Sequence, residues 1–502
     1  MPDRPYIFFE LTSSLCATCL RKVEAKVIIQ DGKVYLHKWC PEHRFQKVLI
    51  STDADYFKLT RETLKPGQMP LKFNTPIKYG CPYDCGLCPD HEQHSCLTLL
   101  EVTDACNLNC PVCYAESGTH RASQHRSLEQ IEFMLDCIVR NEGEPDVVQI
   151  SGGEPTIHPQ FWQIMEAAKR RPIKHLMLNT NGIKIAGDRE FTRRFLDYLP
   201  GFEVYLQFDS LLAEPLRALR GEDLRAVRQR ALDHLNEFDI STNLVVTLKK
   251  GLNDGEIGSI LDFALRQPCV RGVTFQPVQD AGRVENFNPA TDRLTLAEVR
   301  QQILAQSPIF QPHDVVPVPC HPDCLAMAYA LKLPSARCES IGLETEGATT
   351  VGDSRIIPLT GLVDPKVLLH GEGNTIVYER NEHLRKLLFG MFSTAASPES
   401  SQKHLAQLLC CLPTVSVPTE LSYKNLFRVI IMQFLDVHNF DVRSVKKTCV
   451  HIAHPDGRII PFDTFNLFYR DGREATLQRL RGQATGRSLP VLNGGAAIGA
   501  SH

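Results

Sequence analysis

The hydrophobic pattern switches repeatedly between the strand period and the helix period from residue 97 to residue 280. Short runs rich in apolar and β-branched residues are predicted strands, and amphipathic segments with helical spacing lie between them. The predicted strands are 97–103, 146–150, 175–178, 203–208, 242–247 and 272–276. The predicted helices are 127–139, 160–170, 190–199, 224–238 and 257–266. Because parallel strands need helical crossovers, this alternation predicts an α/β fold with an open, partial (β/α)6 barrel.

The residues that follow most of these strands are polar or rich in glycine. Residues 151–155 follow the second strand, residues 179–182 follow the third, and Asp209 follows the fourth. Taken alone, such segments are typical of turns. At the carboxyl edge of a barrel sheet they share the position where barrel enzymes place their active sites. Asp209 and Arg220, at or beyond the fourth strand, are candidate substrate contacts.

A metal-binding hairpin is predicted ahead of the barrel. Residues 26–30 and 33–36 have the strand pattern and flank Asp31 and Gly32, which indicate a tight turn. Two short cysteine and histidine motifs lie at the ends of this hairpin, and together they fit a tetrahedral zinc or iron site of the structural kind. The candidate ligands are Cys16, Cys19, Cys40 and His43. Their spacing does not distinguish iron from zinc.

Composition and charge narrow the classes of function. The chain has 502 residues with 55 Lys and Arg against 58 Asp and Glu, a net charge of −3, which argues against nucleic-acid binding through a basic surface. No apolar run reaches the ~18 residues of a membrane span, and no signal-peptide pattern is present. A cytoplasmic location is therefore expected, with peripheral contact at a membrane left open. In a reducing compartment the 18 cysteines are expected to bind metal rather than form disulfides.

Two identical cysteine motifs stand out from the rest. The spacing C-x3-C-x2-C occurs twice, whereas roughly 0.02 copies are expected by chance at this cysteine frequency. The first copy is Cys81, Cys85 and Cys88, and the second is Cys106, Cys110 and Cys113. Three thiolates do not close a structural zinc site, but they suit a four-iron cluster with one iron left open or completed by a distant ligand. Of the remaining cysteines, Cys137 and Cys269 are predicted core thiols.

The second motif carries a family resemblance. Cys106-Asn-Leu-Asn-Cys110-Pro-Val-Cys113 after the first strand, with Gly152-Gly-Glu-Pro after the second, resembles the radical S-adenosylmethionine (SAM) superfamily. The resemblance implies that the three cysteines are the catalytic ligands of a [4Fe–4S] cluster whose open iron takes the amino and carboxylate groups of SAM. It implies further cofactor contacts at Gly152, Gly153, Glu154, Asn179, Asn181 and Thr247, the first three for the SAM amino group and the others for ribose or carboxylate. The family usually has an aromatic residue before its third cysteine, whereas this chain has Val112 there and Tyr114 after it, so Tyr114 is a candidate for adenine packing.

A closer likeness covers nearly the whole chain. The segment Gly80-Cys-Pro-Tyr-Asp-Cys-Gly-Leu-Cys-Pro89, the N-terminal hairpin motifs and the C-terminal residues 440–462 resemble the tetraether lipid synthases and the related class D radical SAM methyltransferases. That likeness implies a rubredoxin-like mononuclear site and two auxiliary clusters. One auxiliary cluster would use Cys81, Cys85 and Cys88, and the other Cys320, Cys324 and Cys338, completed by Cys410, Cys411 or Cys449. Cys96 is either a fourth ligand of the first auxiliary cluster or a buried thiol. Relatives often have cysteine where this chain has Asp463, so a ligand is missing or replaced there.

The predicted organisation has five parts. They are a mononuclear metal module at 1–60, an auxiliary-cluster segment at 61–96, the radical SAM partial barrel at 97–284, a C-terminal α+β iron–sulfur domain at 285–480 and a tail at 481–502.

Two hypotheses for the function follow from the resemblance, and a third comes from a different class of protein. The first is a radical enzyme that cleaves SAM to methionine and a 5′-deoxyadenosyl radical and forms a carbon–carbon bond on a lipid chain. The alternative is a class D methyltransferase that uses a folate- or pterin-derived one-carbon unit. A non-enzymatic iron–sulfur electron carrier or redox sensor is the third. For the enzyme, a reducing partner such as flavodoxin or ferredoxin is expected, and no nucleic acid.

Overall fold

The computed structural model describes residues 4–63, 68–122, 124–335, 348–358, 425–470 and 472–485. Within them, the N-terminal module is an antiparallel sheet of four strands in chain order. The strands are β1 (Ile7–Leu15), β2 (Lys22–Gln30), β3 (Lys33–Cys40) and β4 (Arg44–Ser51), followed by helix α1 (Ala54–Glu62). The predicted hairpin is β2 and β3, which turn at Asp31 and Gly32, both with positive φ. Every second residue of β2 is buried, which gives this small sheet one face to pack against α1.

The predicted partial barrel is confirmed. Six parallel strands neighbour one another in chain order, and they are almost completely buried because helices cover their outer face. The strands are β5 (Leu97–Thr103), β6 (Val147–Gly152), β7 (His175–Thr180), β8 (Phe202–Gln207), β9 (Thr242–Leu248) and β10 (Val270–Pro277). The helices are α2 (Leu128–Glu142), α3 (Phe161–Lys169), α4 (Ile183–Gly187), α5 (Arg189–Arg193), α6 (Ala213–Arg220), α7 (Arg225–Glu237) and α8 (Ile257–Arg266).

The connection after β7 differs from the prediction of one helix at 190–199. It consists of α4, α5 and a 3-10 turn that ends at Tyr198. Asp188 separates the two helices because its backbone is extended, and its side chain caps α5. Helix α6, which begins at Ala213, was not predicted, because eight residues are too few for a clear helical period.

The C-terminal part extends both edges of the barrel sheet. Its strands are β11 (Val316–Pro317), β12 (Leu325–Pro334), β13 (Thr349–Val351), β14 (Ser354–Pro358), β15 (Leu426–Met432), β16 (Val450–Ala453) and β17 (Ile459–Pro461). Strand β15 pairs in parallel with β10 and antiparallel with β12, while β16 pairs in parallel with β5 at the opposite edge. The later helices are α9 (Leu296–Gln306), α10 (Val442–Lys446), α11 (Phe462–Thr464) and α12 (Glu474–Thr485). The predicted boundary between the barrel at 97–284 and the C-terminal domain at 285–480 therefore divides the strands of one continuous sheet.

A buried lysine fastens the N-terminal module to this framework. The Lys38 ammonium donates to the carbonyls of Leu15, Val437 and His438 at 2.7, 3.0 and 2.8 Å. Burial lowers the pKa of Lys38 to about 8. All three ammonium protons thus have backbone acceptors, as a buried charge requires. Among the residues that the structure describes, no helix is long and apolar enough to cross a membrane.

Candidate active site and metal centres

The loop that carries Cys106, Cys110 and Cys113 follows β5 at the carboxyl edge of the parallel strands. Cys113 and Arg283 exchange backbone hydrogen bonds at 3.0 and 2.9 Å. The Arg283 side chain also donates from Nε to the Cys110 carbonyl at 2.6 Å and from Nη2 to the Ser117 carbonyl at 2.8 Å. The loop is therefore fixed at two of its cysteines by a residue that sequence reasoning missed, and no local pattern marks Arg283.

The three cysteines of this loop lie together at one end of a cleft in the barrel. Burial raises the pKa of the Cys106 thiol to about 12, so metal binding must displace its proton.

Gly152 and Gly153 are required by close backbone packing beneath this loop. A Cβ at Gly152 would lie 2.2 Å from the Thr103 carbonyl oxygen, and one at Gly153 would lie 2.1 Å from the Ala105 carbonyl oxygen. Backbone hydrogen bonds join the same segments, from Gly153 to Thr103 at 2.7 Å and from Glu154 to Ala105 at 2.9 Å. The resemblance implies that both glycines lie against the SAM amino group, and both line the cleft. Because neither glycine has a side chain, the end of β6 also packs directly against the segment that leads into Cys106.

The Glu154 carboxylate is buried and joins the ends of two strands. Its Oε1 accepts from the hydroxyls of Thr156 and Thr180 at 2.6 and 2.8 Å, and its Oε2 accepts from the Asn181 N–H at 2.7 Å. Burial raises the pKa of Glu154, although these hydrogen bonds oppose the shift. Glu154 does not line the cleft. Its predicted contact with the SAM amino group stays a prediction, because the chain's own donors already occupy the carboxylate.

The other predicted cofactor contacts lie together on the cleft wall. Asn179 donates to the Ser151 hydroxyl at 3.2 Å and accepts from the Gln207 amide at 2.9 Å. Asn181 donates to the Asn107 side chain at 2.7 Å, which ties the end of β7 to the cysteine loop. The cleft wall also includes Tyr114 and Thr247.

A buried ion pair lies below the cysteine loop. Arg220 donates from Nη2 and Nε to the two Asp209 oxygens at 2.6 and 2.7 Å, and from Nη2 to the Thr247 hydroxyl at 2.8 Å. Burial would raise the pKa of Asp209, but the Arg220 guanidinium holds it below its ordinary value. Asp209 has a positive φ of 68°, a strained conformation that this bidentate pair secures. The predicted pair of substrate contacts is thus an internal brace, although Arg220 also lines the cleft.

A second arginine in the same wall has unused donors. Arg228 on α7 is 2% exposed, and its Nη1 donates to the Asn181 carbonyl. Its Nε and Nη2 are buried without a hydrogen-bond partner. Sequence reasoning missed this residue, because an arginine within an amphipathic helix is typical of a solvated face.

A single cleft connects these groups. It opens to solvent and extends from the three cysteines into the barrel. The lining includes the amides of Gln149, Asn179, Gln207, Gln276 and Gln279, and the aromatic rings of Tyr114, Tyr205, Phe434 and Phe462.

The N-terminal ligand set has the geometry of one tetrahedral ion. The Nδ1 of His43 lies 3.5 Å from the Cys16 sulfur and 3.6 Å from the Cys40 sulfur, and the Cys19 and Cys40 sulfurs are 3.9 Å apart. A zinc ion with bonds of about 2.3 Å to sulfur and 2.0 Å to nitrogen separates tetrahedral ligands by about 3.5 to 3.8 Å. Gln46 supports the set by donating to the Cys16 sulfur at 3.6 Å, the kind of outer contact that orients ligands.

The cysteines predicted to bind the first auxiliary cluster lie on one loop, and several of those predicted for the second are outside the described residues. Cys81, Cys85 and Cys88 remain near one another on one loop, where the Cys85 N–H donates to the Tyr469 hydroxyl at 3.0 Å. A hydrogen bond with Cys85 lowers the pKa of Cys81, with burial opposing the shift. Cys338, Cys410 and Cys411 lie outside the described residues.

A further triad consists of Cys96, Cys320 and Cys449, whose sulfurs all lie within 4.8 Å of one another. The register of the sheet explains it, because Cys96 and Cys449 directly precede Leu97 and Val450, which pair between β5 and β16. The Cys320 and Cys449 sulfurs are 3.7 Å apart. This buried triad could hold an auxiliary cluster.

The sequence predicts Cys96 as a fourth ligand of the first auxiliary cluster or as a buried thiol, and neither prediction places it beside Cys320 and Cys449. Cys324, which was grouped with Cys320, instead faces the Ser444 hydroxyl at 3.7 Å. The position where relatives often have cysteine, Asp463, is also buried and accepts hydrogen bonds from the Leu435 N–H and the Thr448 hydroxyl.

Comparison with known proteins adds independent findings. The sequence matches the radical SAM superfamily over residues 100–264 and an HMPTM N-terminal zinc ribbon domain over residues 8–52. The 7,8-dihydro-6-hydroxymethylpterin dimethyltransferase of Methanocaldococcus jannaschii is 31% identical over 491 residues, which cover 91% of this chain and 94% of that protein. A GTP 3′,8-cyclase of Syntrophomonas wolfei is 29% identical over 212 residues, 40% of this chain and 62% of that protein. Among solved structures, Streptococcus suis SuiB with S-adenosylmethionine shares 18% identity and a TM-score of 0.35, covering 42% of this chain and 46% of SuiB.

A partial barrel with three cysteines after its first strand and a glycine pair after its second defines a radical SAM enzyme, with a [4Fe–4S] cluster and SAM as cofactors. The N-terminal module is a Cys3His zinc ribbon. The chain belongs to the radical SAM family that includes the Methanocaldococcus jannaschii pterin dimethyltransferase. The hypothesis of a non-enzymatic electron carrier is therefore set aside.

Proposed function

We propose that this enzyme is a radical SAM methyltransferase that acts on a reduced pterin. The methyltransferase was the alternative hypothesis from the sequence, and it is better supported than carbon–carbon coupling on a lipid chain. The support is the pterin dimethyltransferase that is similar over 91% of the chain. Here the pterin is the acceptor of the methyl group, whereas the sequence hypothesis considered a pterin as the one-carbon source.

The observation that carries this proposal is the set of amides in the cleft. Gln149, Asn179, Gln207 and Gln276 come from four strands of the barrel, and Gln279 follows β10. The Gln279 Oε1 is buried and has no partner. A hydrocarbon chain would leave the Gln279 oxygen unpaired in a desolvated space, which costs roughly 1–3 kcal/mol. The edge of a pterin carries the matching ring nitrogens, amino group and carbonyl.

Aromatic side chains supply the complementary flat surface. The rings of Phe434 and Phe462 lie 4.1 Å apart between centroids, and Tyr114 lies 5.1 Å from Phe462. Stacking on such rings suits a planar heterocycle and is worth about 0.5–1.5 kcal/mol beyond the burial of area. A cleft that offers amides to the edge of a ligand and aromatic rings to its face thus favours a pterin over a saturated hydrocarbon chain.

The chain's own residues position the reaction. When bound, the cluster and SAM supply the one-electron chemistry that removes hydrogen from an unreactive carbon. Arg283 and the Gly152–Gly153 pair hold the cysteine loop against the barrel, while Asp209 fixes Arg220 in the cleft wall. The amides orient the pterin, and the rings exclude water from the reacting carbon. A reducing partner such as flavodoxin or ferredoxin would deliver the electrons.

Product analysis tests the proposal. The reconstituted enzyme would be incubated without oxygen with dithionite, SAM, a carbon-13-labelled folate- or pterin-derived one-carbon donor and 7,8-dihydro-6-hydroxymethylpterin, and products would be separated by mass spectrometry. We expect one or two added methyl groups on the pterin together with 5′-deoxyadenosine, and neither from Cys106→Ala. Dimerised lipid chains from a lipid substrate, with an unmodified pterin, would contradict the proposal.

A cleft variant tests the amide argument separately. Gln149→Met removes one amide that the structure gives to the cleft, and losing one neutral hydrogen bond should raise the KM for the pterin about 2- to 10-fold. The KM for SAM should stay constant. Gln229→Met on the exposed face of α7 is the matched control. Equal KM values for the pterin in both variants would show that the Gln149 amide does not bind the substrate.

A further inference from the structure

The ribbon groove is a surface cleft between the zinc ribbon and the loop that carries Cys81. The start of β2 lines it together with Trp39 and Phe45, which are register partners in β3 and β4. The cysteine loop contributes Tyr79 and Tyr83, and helix α12 also lines the groove. Phe45 is 77% exposed and Trp39 is 45% exposed. Neighbouring apolar side chains that stay exposed in this way mark an interaction surface.

Positive charge surrounds these exposed rings. Residues 16–50 carry seven Lys and Arg against three Asp and Glu, a net charge of +4, whereas the whole chain has a net charge of −3. Arg21, Lys22 and Lys26 line the ribbon groove with one carboxylate, Glu24, and both lysines are exposed. The groove therefore combines basic and aromatic groups, which complement a partner with an acidic surface.

The ribbon groove lies directly against the first auxiliary cysteine motif. The Lys22 ammonium donates to the Cys81 carbonyl at 3.2 Å, and the Lys22 N–H donates to the Tyr83 hydroxyl at 2.8 Å. Tyr83 stands between Cys81 and Cys85 in the sequence, and Cys81 is partly exposed. A protein bound in the groove would consequently contact this motif. Because zinc has no redox chemistry, the electron acceptor beside the groove is the predicted cluster of Cys81, Cys85 and Cys88 rather than the ribbon.

We propose that the ribbon groove is the docking site of a small acidic one-electron carrier, a flavodoxin or a ferredoxin, which reduces the cluster predicted at the Cys81 loop. The carrier loses one electron and the cluster gains it, so the step needs no further reactant. Complexes of electron carriers bury little surface and depend on charge attraction, and a concave basic site suits such a protein better than a flat membrane surface. The inference rests on the predicted cluster and on the radical SAM reaction, and it is independent of the pterin substrate.

Equilibrium binding of a purified, oxidised flavodoxin to the cluster-loaded protein tests the site without turnover. Lys26→Glu reverses a charge in the groove, and Arg230→Glu on the exposed side of α7 is the matched control with the same change in net charge. At low ionic strength the dissociation constant should rise about 2- to 30-fold in Lys26→Glu, because a repulsion replaces an attraction. The difference should shrink at high salt, where surface charges are screened. Phe45→Ser should weaken binding equally at both salt concentrations, since salt does not screen an apolar contact.

The source of the electron separates docking from a general defect. Formation of 5′-deoxyadenosine from SAM would be measured with subsaturating reduced flavodoxin and, separately, with dithionite. Lys26→Glu should be slower than Arg230→Glu with flavodoxin and equal to it with dithionite.

Three results would overturn the proposal. The first is equal flavodoxin affinity in Lys26→Glu, Phe45→Ser and Arg230→Glu. The second is a wild-type protein that binds neither flavodoxin nor ferredoxin. The third is binding of anionic phospholipid vesicles that Phe45→Ser abolishes while flavodoxin affinity stays unchanged, which would assign the groove to a membrane surface. Because the binding measurement uses neither SAM nor pterin, its outcome does not depend on the proposed methyl transfer.

Discussion

Replacing Gly153 with alanine tests whether the glycine pair seats the cluster loop. A Cβ at this position would lie 2.1 Å from the Ala105 carbonyl oxygen and 2.6 Å from its carbon, while ordinary contact begins at 3.4 Å. The two segments must therefore separate by the difference, about 1.3 Å. Both atoms belong to backbone, so no side-chain rotation can relieve the overlap.

The size of the effect follows from what that separation breaks. The hydrogen bonds from Gly153 to Thr103 and from Glu154 to Ala105 lie on either side of the new methyl group. Each is worth about 1 kcal/mol, and overpacking adds about 1–3 kcal/mol. We expect the free energy of unfolding to fall by about 3–5 kcal/mol. Because Ala105 directly precedes Cys106, SAM affinity should fall at least tenfold, which corresponds to about 1.4 kcal/mol.

The assay combines unfolding with cofactor binding. Denaturant unfolding, iron content and equilibrium SAM binding would be measured on cluster-loaded protein without oxygen. Gly187→Ala is the matched control, since a Cβ at the end of α4 meets nothing within 4 Å and alanine stabilises helices by up to about 1 kcal/mol. A Gly153→Ala protein with wild-type stability and wild-type SAM affinity would refute the packing argument.

Three further predictions concern other parts of the chain. Asp209→Asn leaves the buried Arg220 charge without its partner and should cost about 3–5 kcal/mol of stability, measured by denaturant unfolding; a loss below about 1 kcal/mol would contradict the bracing role. Cys40→Ser should release one zinc per chain and lower the melting temperature while cluster iron is retained, and retained zinc would contradict the assignment. Burial raises the pKa of Asp463 from 3.8 to about 7, so the folded protein holds this proton more tightly than the unfolded chain. The associated stability is complete below pH 4 and is lost as pH rises through 7. Asp463→Asn should flatten the melting temperature between pH 5 and 8, and an unchanged profile would exclude Asp463 as its source.

The local sequence was enough to predict the strands and helices of the barrel and the position of its cluster-binding loop. Strand and helix periods repeat within windows of about ten residues, and all six strands of β5 to β10 lie where the pattern indicates. The three cysteines of the Cys106 loop and the four ribbon ligands are close in sequence. Their geometry is consequently a local property, and their spacing alone indicated the kind of metal centre.

The tertiary structure decided how distant residues complete those sites. Arg283 reaches Cys110 across 173 positions, and Cys449 lies beside Cys320 across 129 positions, only because β10 and β16 are neighbours of particular strands. The same holds for Arg228, whose helical pattern predicts a solvated side chain. Burial, strand register and unpaired donors depend on which segments pack together, and a single sequence carries no local signal for that packing.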